Sequence, residues 1–156
     1  MPNRRKIKVV FDTNVFIGNF LAPRDTSPNR RVVRLWLRDR RIKLVVSGEI
    51  LDEYLRIFED VLAFDKERIR RWRERLSDRR LTIAARPGAI KQISRDAKDN
   101  VFIAVAAIAK CKYLVTNDRD LLDIDDSAKR QLEIEIVTPF RLLSYMAGSH
   151  HRKAES

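Results

Sequence analysis

Five short apolar runs, each closed by polar or turn residues, set the rhythm of the chain. Ile7 to Phe11, Ile42 to Val46, Leu81 to Ile83, Lys112 to Thr116 and Ile134 to Thr138 read as strands. The first run, Ile-Lys-Val-Val-Phe, has too few polar positions to leave one face wet, which suits the centre of a parallel sheet. Between the runs the spacing becomes helical. Val15-Phe16-Ile17 with Phe20-Leu21 predicts a short helix, followed by a loop from Ala22 to Asn29 that holds Pro23 and Pro28. Arg30 to Arg41 carries Val32, Val33, Leu35, Trp36 and Leu37 on one face and arginines on the other, so Trp36 belongs to the core. Ser47 is a natural N-cap for a helix that runs on through Ile57. Lys66 to Arg80 has a narrow seam of Ile69, Trp72 and Leu76 under a broad arginine face. Arg95 to Lys110 opens with acids and then turns apolar all round, the mark of a buried helix. A last helix spans Phe140 to about Met146, and the stretch from Gly148 reads as a disordered tail. The expected organisation is one domain over 1–147 and a tail over 148–156. Strands alternating with helices predict a three-layer α/β/α domain with a mostly parallel central sheet.

The strand ends carry the candidate chemistry. In open α/β sheets ligands bind beyond the carboxyl ends of the strands. The first strand ends in Asp12-Thr13-Asn14, and the helix after the second bears Glu49 and Glu53 on one face. The buried helix opens with Asp96 and Asp99, and the fourth strand ends in Thr116-Asn117-Asp118-Arg119-Asp120. Each acid also has a plainer role. Asp12 or Asn14 can cap the helix that follows, and Asp118 or Asp120 can cap another. Glu49 and Glu53 can form a solvated face, while Asp96 and Asp99 suit the positive end of a helix dipole. What favours chemistry is that Asp12, Glu53, Asp99 and Asp118 would all arrive at one edge. Carboxylates gathered without cations repel one another and raise each other's pKa. A hard divalent cation, Mg²⁺ or Mn²⁺, removes that conflict. It can also activate water and stabilise the in-line displacement of a phosphodiester.

Composition narrows the classes. The chain has 156 residues, 44% hydrophobic and 35% charged, as expected of one globular domain with a heavily ionised surface. No apolar run approaches a membrane span and no signal-like segment follows the basic start, so a cytoplasmic protein is expected. A single Cys111 excludes an internal disulfide framework and a multi-cysteine zinc site. A net charge of +11 and a pI near 10.3 attract polyanions such as nucleic acid, or an acidic protein partner. Arg34 and Arg38 on one helix, and Arg68, Arg71 and Arg75 on another, recur at helical spacings as basic stripes. They suit the backbone of RNA, although solvated faces look the same in sequence. There is no Walker A loop, Gly-rich dinucleotide turn, internal repeat or Ser/His/Asp arrangement, and His150-His151 has no partner cluster.

Taken in order, Val-Val-Phe-Asp12-Thr-Asn14, Val-Ser47-Gly-Glu-Ile-Leu-Asp-Glu53-Tyr-Leu, Asp96-Ala-Lys-Asp99-Asn100-Val-Phe-Ile-Ala and Leu-Val-Thr116-Asn-Asp118-Arg-Asp120-Leu-Leu resemble the PIN-domain ribonucleases. The likeness runs from Ile7 to Leu143 and is nearest to the VapC-like toxins of toxin–antitoxin systems. It implies an endoribonuclease dependent on Mg²⁺ or Mn²⁺, often a homodimer, held in check by an antitoxin protein. It also implies Asp12, Glu53, Asp99 and Asp118 as the catalytic acids, with Asp12, Asp99, Asp118 and the extra acid Asp120 toward metal. Asn14 and Thr116 match residues that brace the site. The third acid is Asp99 in near register, with Asp96 as the other candidate. Other classes consistent with the residues are a housekeeping RNA-processing nuclease of the same fold and a non-catalytic nucleic-acid-binding module. A haloacid-dehalogenase-like phosphatase also begins strand–Asp, but needs a second Asp where Asn14 stands.

Overall fold

A computed structural model describes residues 6–86 and 97–154, with side chains described over 6–86 and 101–148. Its sheet contains β1 (Ile7–Phe11), β2 (Ile42–Val46), β3 (Thr82–Ala84), β4 (Tyr113–Val115) and β5 (Glu135–Val137). The order is β3-β2-β1-β4-β5 and every pairing is parallel, so the expected mostly parallel sheet is wholly so. Among the described residues the helices are α1 (Thr13–Leu21), α2 (Pro28–Leu37), α3 (Gly48–Asp60), α4 (Lys66–Ser77), α5 (Ala97–Ile108), α6 (Arg119–Leu122), α7 (Asp126–Leu132) and α8 (Pro139–Ala154). Together they make the three-layer α/β/α arrangement. No described helix is long and apolar enough to cross a membrane.

The apolar run of β1 becomes the middle of the sheet because parallel strands are covered on both faces. Val9, Val10 and Phe11 are fully buried there, as are Leu44 and Val45 on β2 and Leu114 and Val115 on β4. Phe16 on α1 is the hub of an aromatic cluster. Its ring centroid lies 5.8 Å from Phe11, 6.0 Å from Trp36, 4.8 Å from Tyr54, 5.6 Å from Phe58 and 5.9 Å from Trp72, all edge-on. Such pairs contribute about 0.5–1.5 kcal/mol each beyond their buried area. The cluster ties α1 to α2, α3 and α4. Trp36 is fully buried, and its indole donates to the Leu81 carbonyl at 2.8 Å, so it is a core anchor.

Several boundaries differ from the sequence reading for local reasons. α2 begins at Pro28, whose missing N–H suits a first turn, and ends at Leu37 instead of Arg41. The chain leaves it through Arg40, left-handed at φ 53°, while Arg41 N–H donates back to the Leu35 carbonyl. α4 stops at Ser77 instead of Arg80, because Asp78 takes the terminal position and binds the Arg80 amide at 2.9 Å and its guanidinium at 2.8 Å. The third strand therefore starts at Thr82, one residue late. The last helix continues past Met146 to Ala154, through residues expected to form a tail.

The order β3-β2-β1-β4-β5 reverses direction between β1 and β4. That reversal opens a crevice at the carboxyl ends of these two neighbours, the usual ligand position in such sheets.

Candidate active site

Phe11 on β1 and Val115 on β4 are register partners, so Asp12 and Thr116 follow them side by side at the crevice. The Asp12 amide continues the ladder by donating to the Val115 carbonyl at 2.9 Å, and Thr116 does the same to Val137. Parallel pairing thus delivers a carboxylate and a hydroxyl to the same point. The Thr116 hydroxyl donates to Asp12 Oδ2 at 2.7 Å and accepts from the Asp118 amide at 2.9 Å. Asn14 Nδ2 donates to the same Asp12 oxygen at 3.2 Å. Asn14 is oriented in turn, because its Oδ1 accepts from the Asn117 amide at 3.1 Å. Asn117 Nδ2 then donates to Asn29 Oδ1 on α2 at 2.9 Å. A relay of hydrogen bonds therefore runs from Asp12 across the switch point to the start of α2.

Asp12 stands at the N-cap position of α1, yet its side chain makes no capping hydrogen bond. Capping alone therefore does not account for it. The carboxyl is only 7% exposed, and that burial pushes its pKa up. The Thr116 hydrogen bond and the nearby amides of Thr13 and Asn14 work against the rise, and the charge of Asp118 adds to it. Asp118 does act as a cap: Oδ1 accepts from the Asp120 amide at 2.9 Å and starts α6. Asp120 itself is exposed in the first turn of that helix.

Glu53 stands on α3 next to Tyr54, whose fully buried phenol donates to the Phe11 carbonyl. Among the described residues Glu53 makes no hydrogen bond or ion pair with Asp12 or Asp118. Its carboxylate pairs with Arg56 at 2.8 Å, the cation that two acids on one helix face require. Asp96 lies outside the described residues. Asp99 lies in the first turns of α5, with only its backbone described. The structure therefore brings Asp12, Asn14, Thr116 and Asp118 together and adds Asn117 and Asn29, which the sequence reading missed. Arg34, Arg38, Arg68, Arg71 and Arg75 lie on α2, its C-cap and α4, and among the described residues none of them forms an ion pair with this cluster. The thiol of Cys111 is buried in the core and pushed up to about 12, which makes it unreactive.

The donor chemistry fits a hard cation: beside Asp12 the described residues offer carboxylate and hydroxyl oxygens, with no imidazole or thiol among them. Among the described residues no three His, Cys, Asp or Glu side chains gather closely enough to hold a metal on their own. Beside the cluster, the buried Thr13 hydroxyl is the one buried side-chain polar atom, among the described residues, without a hydrogen-bond partner. An orphaned hydroxyl costs about 1–3 kcal/mol unless something supplies its bond.

An open parallel sheet with a buried, braced carboxylate at its switch point and a second acid next to it is a frame for metal-assisted hydrolysis. The family model of the PIN domain matches residues 8–120, from β1 to Asp120, and the chain belongs to that family. PIN domains are generally nucleases, and such nucleases generally use divalent metal ions. No curated protein matches the chain.

Proposed function

We propose that the chain is an endoribonuclease that hydrolyses RNA phosphodiester bonds with Mg²⁺ or Mn²⁺. The observation that carries this reading is the Asp12 carboxylate. It is buried, held at one oxygen by Thr116 and Asn14, and set beside Asp118 at the switch point instead of being spent on its own helix. Asp12 and Asp118 would hold the cation, with Asp99 or Asp96 and Glu53 completing the acidic set. A bound cation supplies Lewis acidity and an acidified water at that edge. Asp12 must be ionised to serve, and the Thr116 hydroxyl and Asn14 amide favour that charged form. Asn117 fixes Asn14 so that its amide keeps donating. Net charge +11 supplies the long-range attraction for RNA that an acidic centre alone would repel.

The sequence likeness to VapC-like toxins extends the reading to a toxin that works as a homodimer and is neutralised by an antitoxin. A housekeeping RNA-processing role is the alternative on the same chemistry. The haloacid-dehalogenase reading gives way to membership of the PIN-domain family. Incubation of single-stranded RNA with the purified chain tests the proposal. Cleavage with Mn²⁺ or Mg²⁺ that stops in chelator and is lost in Asp12→Asn is expected. Cleavage that survives both changes would overturn it. Growth arrest on expression, relieved by a neighbouring gene, separates the toxin from the housekeeping enzyme.

A further inference from the structure

Three arginines of the two stripes, Arg34, Arg38 and Arg68, line one groove. The end of α1, α2 and α4 enclose a groove of about 380 Å³ whose wall includes Arg30, Arg34, Arg38 and Arg68 beside Phe20, with Asp25 as its carboxylate. Arg68 is seated by aromatic faces, its guanidinium 3.7 Å from the Phe64 ring centroid and 5.5 Å from that of Phe20. Stacked in this way, the planar group keeps its N–H edge for an oxyanion. Among the described residues no carboxylate lies within ion-pair distance of Arg38 or Arg68. Arg30 is already committed to Asp25 at 2.8 Å and to the Asn19 carbonyl at 3.0 Å. Arg34 reaches the same Asp25 only at 3.9 Å, and Asp25 is 78% exposed, so that pair is weak and easily exchanged.

The other arginines of α4 differ. Arg70 is paired to Glu67 and Glu74. Arg71 and Arg75 do not line the groove, and Arg75 lies over the ring of Trp72. The groove and the site are linked through the chain of α2. The amide relay from Asp12 ends at Asn29, and the next residue is Arg30 in the groove wall.

We infer that this groove holds the phosphates of the RNA strand on Arg34, Arg38 and Arg68, while Arg71 and Arg75 stay outside the contact. The inference rests on the nuclease reading and names the surface that carries the substrate. Arg34 and Arg38 are one helical turn apart, about 6 Å along the axis, and so can take successive positions on an extended strand. RNA is favoured over an acidic peptide because the chain belongs to a family that is generally nucleases, and the planar guanidinium forks of this groove match phosphate oxygens along a strand.

The test measures binding of labelled single-stranded RNA to the full chain in chelator, across a range of salt. Each phosphate contact contributes about 0.7 to the slope of log affinity against log salt for a single strand. The triple substitution Arg34→Gln, Arg38→Gln and Arg68→Gln is expected to flatten that slope by about 2. The double substitution Arg71→Gln and Arg75→Gln removes charge from the same helix and is expected to leave it unchanged. The exposed Arg38→Gln alone, which leaves the core untouched, is expected to flatten it by about 0.7. An unchanged slope in Arg38→Gln and in the folded triple variant, with RNA still bound, would overturn the groove and leave the nuclease reading standing. Loss of poly-glutamate binding in the triple variant with RNA binding intact would overturn it in favour of an acidic protein partner. Wild-type protein without RNA affinity in chelator would overturn the groove, whereas absence of metal-dependent cleavage would overturn the nuclease reading itself.

Discussion

Asp12 is the residue on which the proposal turns, and its environment makes a signed prediction. Burial and the charge of Asp118 raise its pKa above the ordinary 3.8, so the folded chain holds that proton more tightly than the unfolded one. Its favourable contribution is therefore complete below 3.8 and is lost as pH rises through the raised folded value. In chelator at pH 7, Asp12→Asn removes a buried charge and should melt above the wild type. Below about pH 4 the difference should close. Paired melting curves at the two pH values check this, and a lower melting point for Asp12→Asn at neutral pH would make the carboxylate a structural cap. Asp12 was legible in sequence because an apolar strand ended in acid. Asn117 and Asn29 were not, since their pairing depends on how α2 packs and leaves no local pattern. The Arg56 partner of Glu53 could have been read from its spacing of three.

At the scale of elements, Gly18 sets the approach of α1 to α2. A Cβ there would meet Asn29 Nδ2 at 2.3 Å and its Cγ at 2.5 Å. In an unconstrained helix interior Gly→Ala gains up to about 1 kcal/mol. Here Gly18→Ala should instead lower the melting temperature, because Asn29 must swing away and give up Asn117. Gly18→Ala combined with Asn29→Ala should melt above Gly18→Ala alone, and a double-mutant cycle reads the coupling. Simple additivity would place the Asn29 contact outside the packing. All five strands were legible as short apolar runs. β1, β2 and β4 are buried along most of their length, and the edge strands β3 and β5, which expose Ala84 and Glu135, keep apolar neighbours at their other positions. α7 was not. None of its residues is buried, so no periodic stripe exists, and it is held by the Asp125 cap at one end and left-handed Glu133 at the other. The end of α2 was missed for a similar reason, because a left-handed arginine carries no sequence signal as glycine does.

Across the whole molecule, acid and base are separated by design of the sheet. Parallel strand order brings acids to the switch point, and the arginines of α2 and α4 occupy the outer helices beyond it. The sequence showed both sets but not their joining, since convergence of α2 and α4 is set by the aromatic cluster around Phe16. The central claim is that the Asp12–Asp118 edge takes a divalent cation. A ligand that binds only the folded state raises the melting temperature with concentration. The decisive measurement is thermal melting of the wild type and of Asp12→Asn at pH 7, each titrated with Mn²⁺. A rise that grows with Mn²⁺ in the wild type and is largely absent in Asp12→Asn is the predicted result. Equal rises in both proteins, or none in the wild type, would contradict it.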